Sequence, residues 1–268
     1  MNLIAKFKCF FLVLIAIYFF SSCTVSKMQV VSLDCNKLRK DTTWMYSDSI
    51  VKIVYFYYTN GGKITFILAN ISDKPIFFDG KNSFILAGNK KLEYWQDVEQ
   101  INGYVTFRNS THFYSVNDPI HATVSKQERI VLIPPNSNIL VSKYFVHDAT
   151  MFDMSKYTIS RDTVPVNWDS GSKKKTVISK ASFKELNSPE AFRNFLTISR
   201  TEDFKNPLYY DFSFWVAEIW EMDARQGTKS DYPPDFATGG YVEGNFPNSG
   251  RHPYKKPWKF YLNNIPKQ

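Results

Sequence analysis

Residues 50–70 read Ile-Val-Lys-Ile-Val-Tyr-Phe-Tyr-Tyr-Thr-Asn-Gly-Gly-Lys-Ile-Thr-Phe-Ile-Leu-Ala-Asn. Ile50 to Tyr58 is β-branched and aromatic, which suits a pleated, half-buried surface. Asn60-Gly61-Gly62 follows, and Asn and Gly accept the positive φ that hairpin turns require. Lys63 to Asn70 then sets Ile64, Phe66 and Leu68 on one face. Two such runs around an Asn-Gly turn predict an antiparallel hairpin.

The same rhythm continues downstream. Turns at Ser72-Asp73-Lys74, Asp79 to Asn82 and Gly88-Asn89 separate short strands at Pro75–Phe78, Ser83–Ala87 and Lys91–Trp95. Short strands at even spacing point to a sandwich or barrel. Further strands are expected at Val105–Phe107, His112–Val116, Glu128–Ile133 and Asn138–Val146. In the last of these Ile139, Val141 and Phe145 share a face, with Lys143 the exception. Pro134-Pro135 cannot continue a ladder and marks a loop. Residues 147–187 read as the main stretch of low order, including a polar, basic loop from Asp169 to Lys175. A sub-boundary would fall there. Ser188-Pro189-Glu190 has the chemistry of a helix start, so one helical turn over Ala191–Phe195 is expected before a strand.

Tyr209 to Met222 is the strongest single strand. Tyr210, Phe212, Phe214, Val216, Trp220 and Met222 line one face, broken only by Glu218. A carboxylate there would be a raised-pKa acid if the alternation held. A β-bulge near Ala217, turning Glu218 outward, or a satisfied edge position, is the reading adopted, because no second carboxylate completes a catalytic pair. Lys259 to Leu262 closes the fold as a last strand. Phe, Tyr and Trp make up 17% of the 268 residues, which again favours strands. A content of 44% hydrophobic and 22% charged residues excludes general disorder. The expected class is all-β, an antiparallel sandwich with little helix.

The beginning of the chain carries a different signal. Lys6 and Lys8 precede an apolar run from Cys9 to Phe20, followed by Ser21, Ser22 and Cys23. A charged start, a short apolar stretch and small residues at its end make a secretory signal peptide. The run is too short to cross a bilayer, which takes about 20 apolar residues. Phe20-Ser21-Ser22-Cys23 resembles the lipobox of bacterial lipoproteins, with Phe20 where that family has Leu, Val or Ile. The resemblance implies cleavage before Cys23 and acylation of its thiol and new amino group. It divides the chain into a signal peptide (1–22), a lipidated tether (23–48) with a short strand near Met28 to Leu33, and a body (49–268). Several acyl chains give lasting attachment where one would be marginal. Loosely, the chain also resembles β-sandwich lipoproteins of Gram-negative envelopes. That likeness rests on Leu68 to Phe77 and on Ile133-Pro134-Pro135-Asn136-Ser137, and it implies an Ig-like body without supplying an activity.

Cysteine usage agrees with export. Of three Cys, the resemblance implies that Cys9 leaves with the signal and that Cys23 is acylated, which would leave Cys35 without a disulfide partner. Its neighbours Asp34 and Asn36 are poor activators of a thiolate. The formal charge of +8 would become +6 in the mature chain. For an exported, tethered protein the counter-surfaces are lipid phosphates and anionic wall polymers, not nucleic acid. No acidic run follows Cys23, which favours the periplasm-facing leaflet of the outer membrane.

Catalytic and ligand patterns are absent from the sequence. His112, His121, His147 and His252 lack metal-site spacing. There is no Gly-x-Ser-x-Gly elbow and no Walker loop. No cofactor is expected. The basic, aromatic end stands out, with Arg251, Lys255, Lys256, Trp258 and Lys259 as candidate interaction residues. They would suit sugar rings, phosphates or lipid head groups, or else form a strand with a snorkelling charged face. The expected function is a membrane-anchored envelope lipoprotein with a non-catalytic binding or structural role, its partner a glycan or another envelope protein. A glycan-binding accessory is the alternative and would show a planar row of exposed rings. A hydrolase, the third reading, would need converging acids or a His-centred set.

Overall fold

The computed structural model describes residues 26–38, 40, 43–97, 99–104, 121–126, 128–165, 175–224 and 254–263. The expected signal peptide, Cys23, Arg251 and the strands expected at 105–107 and 112–116 lie outside them. The strands are β1 (Lys27–Cys35), β2 (Met45–Ser47), β3 (Val51–Phe56), β4 (Lys63–Asn70), β5 (Ile76–Asp79), β6 (Phe84–Ala87), β7 (Lys90–Glu93) and β8 (Glu99–Tyr104). They continue with β9 (His121–Lys126), β10 (Ile130–Ile133), β11 (Asn138–Phe145), β12 (Ser160–Pro165), β13 (Lys175–Ser182), β14 (Ala191–Ser199), β15 (Leu208–Asp223) and β16 (Lys259–Asn263). The only other regular elements described are two three-residue 3-10 turns.

The strands form two packed antiparallel sheets and a separate β8–β9 ribbon. The small sheet runs β11-β4-β3-β2. The large one runs β10-β5-β14-β15-β1-β16, with β13 also on β15, β12 on β13, β6 on β14 and β7 on β6. Val51, Ile53, Ile64, Phe66 and Leu68 of the small sheet meet Phe212, Phe214, Val216, Leu196 and Leu33 of the large one in a single core. Aromatic rings dominate it: Tyr55 contacts Phe66, Phe212 and Phe214 at centroid distances of 5.1 to 5.6 Å. Offset and edge-on pairs of this kind add to the burial of their area.

The hairpin of β3 and β4 forms in register from Val51↔Asn70 to Phe56↔Thr65. Its connection also reaches the other sheet, because Gly61 donates to the Tyr261 carbonyl and Tyr57 to that of Pro257. The bulge in β15 is where it was expected. Ser32 pairs with Glu218 and Leu33 with Val216, which leaves Ala217 as the extra residue. Ile219 therefore joins the main core, while Trp220 and Met222 turn to the outer face and pack with Met28, Val30, Ile178 and Tyr254.

Four expectations change. Residues 24–48 carry more than a tether with a short strand: β1 is nine residues long and lies between β15 and β16. Its Met28 and Val30 face the outer cluster and its Val31 and Leu33 the main core, so no simple alternation marks it. Residues 147–187 contain β12 and β13, and β13 pairs with β15, so strands on both sides of the expected sub-boundary share one sheet. Ser188-Pro189-Glu190 opens no helix. Phe192, Asn194 and Leu196 alternate inward along β14, which pairs with β15, β5 and β6. In β11 the register shifts between Ser142 and Phe145, so Tyr144 packs on the core and Phe145 turns out, 54% exposed. Lys143 uses the same irregularity to donate to the Tyr94 carbonyl at 2.7 Å.

Candidate functional site

The described part of the basic end, residues 254–263, runs into β16, an edge strand of the large sheet. Lys256 to Lys259 is a β-turn closed by the Lys259 N–H on the Lys256 carbonyl at 3.0 Å, with Pro257 at its favoured second position. From there β16 pairs with β1. Alternation sends Trp258 toward the main core and Lys259 to the outer face. Register then builds two neighbouring rows across four strands: Ser182, Glu218, Ser32 and Lys259 in one, Lys180, Trp220, Val30 and Tyr261 in the next. The Lys259 ammonium lies 3.8 Å from the Trp220 ring centroid. Lys180 pairs with Glu218 at 2.9 Å, and Lys40 with Asp34 at 3.2 Å. Burial pulls the Lys259 pKa down to about 8, and Lys40, Lys256 and Lys180 push the same way against the opposing pull of Glu218. Lys255 and Lys256 are exposed. Of the sequence candidates, the structure thus brings Lys256 and Lys259 together and places Trp258 on the core side. Lys180 and Glu218 join from strands far away in sequence.

Two further groups have polar chemistry. A cleft of about 260 Å³ is lined by Lys37, Tyr46, Asp48 and Leu208 to Phe212. Asp48 sits before β3, where its Oδ1 accepts from the Ile50 and Val51 N–H groups at 2.8 and 2.9 Å. The Tyr210 hydroxyl donates to its Oδ2 at 3.0 Å. Burial alone would raise this carboxyl, but the two N–H groups and the hydroxyls of Tyr210 and Tyr46 outweigh it and hold the pKa below its ordinary value. A carboxylate so stabilised is a weak base, and its role is to tie the small sheet to β15.

The other group is one that sequence spacing did not find. His147 Nδ1 lies 2.9 Å from Glu190 Oε1, and its ring stacks on Phe152 at 4.3 Å. Nε2 is 3.4 Å from both Thr150 Oγ1 and Asp148 Oδ1. This is a His-centred set, but its hydroxyl is committed: Thr150 Oγ1 donates to Asp148 at 2.6 Å. The hydrogen bond to Glu190 raises the His147 pKa against the effect of burial. With its Nδ1 engaged by Glu190 and the threonine proton already given to Asp148, the ring is not placed to act as a base on that hydroxyl. The group clasps the chain after β11 to the start of β14.

Cys35 is buried, and burial pushes its thiol up to about 11, so it lacks the thiolate character of a nucleophile. Among the described residues no group of three His, Cys, Asp or Glu could hold a metal, and no helix is long and apolar enough to cross a membrane.

The surface rings fall into two groups. Phe84, Phe195 and Tyr209 stack on one another at 5.0 and 5.4 Å, whereas the exposed Phe56 and Phe145 belong to the small sheet. On the outside of the small sheet, register aligns Leu140, Ile67, Val54 and Met45 in an apolar row. No family model, no curated protein and no solved structure matches the chain.

Proposed function

We propose that the chain is an exported lipoprotein, acylated at Cys23, whose sandwich is held at the outer membrane on its periplasmic side and serves there as a non-catalytic binding or structural module. The observation that carries this reading is the position of β1. It starts at Lys27, four residues after Cys23, and lies inside the large sheet. A fully extended link of that length spans about 14 Å. Acyl chains on Cys23 would therefore hold the whole body close to the bilayer through a strand it cannot release without unfolding.

The non-catalytic part of the reading is supported by the committed chemistry of Asp48 and His147. The Ig-like part is supported by the Pro134–Ser137 loop, which carries the chain from β10 in the large sheet to β11 in the small one. A glycan-binding role finds less support, since Phe84, Phe195 and Tyr209 stack on one another instead of lying in a planar row.

The test is Cys23→Ala in a Gram-negative host. The parent chain should incorporate labelled palmitate and partition with detergent-soluble envelope protein. The variant should lose the label and leave that fraction. A Cys23→Ala protein that reaches the same mature mass and stays with the envelope would overturn the reading.

A further inference from the structure

We propose that the outer face of the large sheet carries a phosphate site, built by Lys259 and Lys256 with Lys180 beside them and directed at a phosphoryl dianion. The inference stands whether or not Cys23 is acylated.

The argument begins with charge. Four lysines, Lys40, Lys180, Lys256 and Lys259, share this patch with the carboxylates of Glu218 and Asp34. Asp34 is taken by Lys40 and Glu218 by Lys180. Two ammonium groups are left over. A phosphate monoester carries roughly −1.5 to −2 charges at neutral pH, which matches that surplus where a single carboxylate would not.

Hydrogen bonding makes the same point. Lys259 is partly buried, and its ammonium rests on the Trp220 ring. The ring offers electrostatic attraction but no lone pair for any of the three N–H donors. Among the described residues no carboxylate lies within ion-pair distance of Lys259. An oxyanion would replace water at the donors of this partly desolvated cation with charged acceptors, without moving the strand. Burial and three neighbouring lysines lower its pKa, the state that a bound dianion would reverse. Ser32 and Ser182 lie in the same cross-strand row as Lys259 and can extend the donor set.

The ligand class follows from the donors. Lysines act as point charges and suit a tetrahedral oxyanion, whereas planar, bidentate recognition is the province of arginine. Trp220 already has Lys259 over its ring and Tyr254 packed at a right angle to it, so it is not a platform for a nucleobase. A phosphoryl group can come from a lipid headgroup or from a soluble ester, and the test separates them.

The full chain, purified in nonionic detergent, would be reductively methylated with 13C so that each lysine reports by NMR. One arm adds inorganic phosphate at constant ionic strength, with chloride as control. The other adds phosphatidic acid to the micelles. A saturable shift of the Lys259 resonance, with a raised pKa, is expected in at least one arm. A response to inorganic phosphate indicates a soluble source, and a response to phosphatidic acid alone indicates a lipid headgroup. Lys259→Gln and Lys256→Gln should each weaken the response, read in the variant lacking Lys259 from the Lys180 resonance, by about tenfold through loss of a charged hydrogen bond. Lys256 is exposed on a turn, so its variant folds whatever happens to β16. No saturable response in either arm, an equal response to chloride, or an undiminished response in Lys256→Gln would overturn the proposal.

Discussion

Asn194 is fully buried, and its side chain bonds two tyrosines distant in sequence. Its carbonyl accepts from the Tyr94 hydroxyl at 3.0 Å, and its amide donates to the Tyr55 hydroxyl at 2.9 Å. Tyr55 belongs to the small sheet and Asn194 to the large one, so the amide pins the two faces at one depth. Asn194→Ala would leave both hydroxyls buried without this partner, at a cost of about 2–4 kcal/mol. Tyr94→Phe removes one bond and should cost less. Urea unfolding of the two variants tests the order, and a milder Asn194→Ala would show that the hydroxyls find other partners.

His147 gives a pH signature at the same scale. Its folded pKa lies above the ordinary 6.5 because Glu190 stabilises the charged ring. The stabilisation is complete below about pH 6.5 and is lost as pH rises through the folded value. The stability gap between the parent and Glu190→Gln should therefore shrink as pH rises from about 6 through the folded value. A gap that is flat or that widens over this range would mean His147 does not titrate against Glu190. Nothing in the spacing of the histidines announced this pair, since 43 residues separate its members.

At the scale of elements, the connection between β3 and β4 does more than reverse the chain. Gly62 has φ +67° and faces the Phe260 ring of β16, where a Cβ would lie 2.7 Å from Cγ. Gly88 has φ +55° with nothing within 4 Å. Gly88→Ala should cost the left-handed penalty alone, about 1–2 kcal/mol. Gly62→Ala adds overpacking against Phe260, about 1–3 kcal/mol more. Equal losses in thermal unfolding would mean the ring yields freely. The positive φ at Gly61 and Gly62 was legible, because Asn-Gly-Gly is a local signal. The contact with β16, nearly 200 residues on, was not. Likewise the bulge at Ala217 was legible from one misplaced carboxylate, but the bulge in β11 was not, since Lys143 read as a simple exception.

For the whole molecule, legibility followed burial. Strands with one buried face, such as β3, β4 and the first half of β15, alternate and could be read. β12 is exposed at five of its six positions, so its place in the sheet left no pattern in the sequence. β1 failed for the opposite reason, being covered on both faces. Lys256 and Lys259 were legible as a basic, aromatic end, whereas Lys180 and Glu218 reach them only through register. These points bear on how the chain closes. β1 comes from the beginning of the body and β16 from its end, and they pair from Met28↔Asn263 to Ser32↔Lys259. Phe260 and Leu262 put two fully buried side chains into the main core. A chain ending at Trp258 would lose both, at about 1.5–3 kcal/mol each, and would leave β1 as an unprotected edge. The expected result is a lower unfolding midpoint together with self-association, read by light scattering during thermal denaturation. A truncated chain that melts at the parental temperature and stays monomeric would show that β16 is a surface appendage. Lys259→Gln, which leaves the β16 backbone in place, should do neither, so loss of phosphate response and loss of fold can be told apart in the same protein.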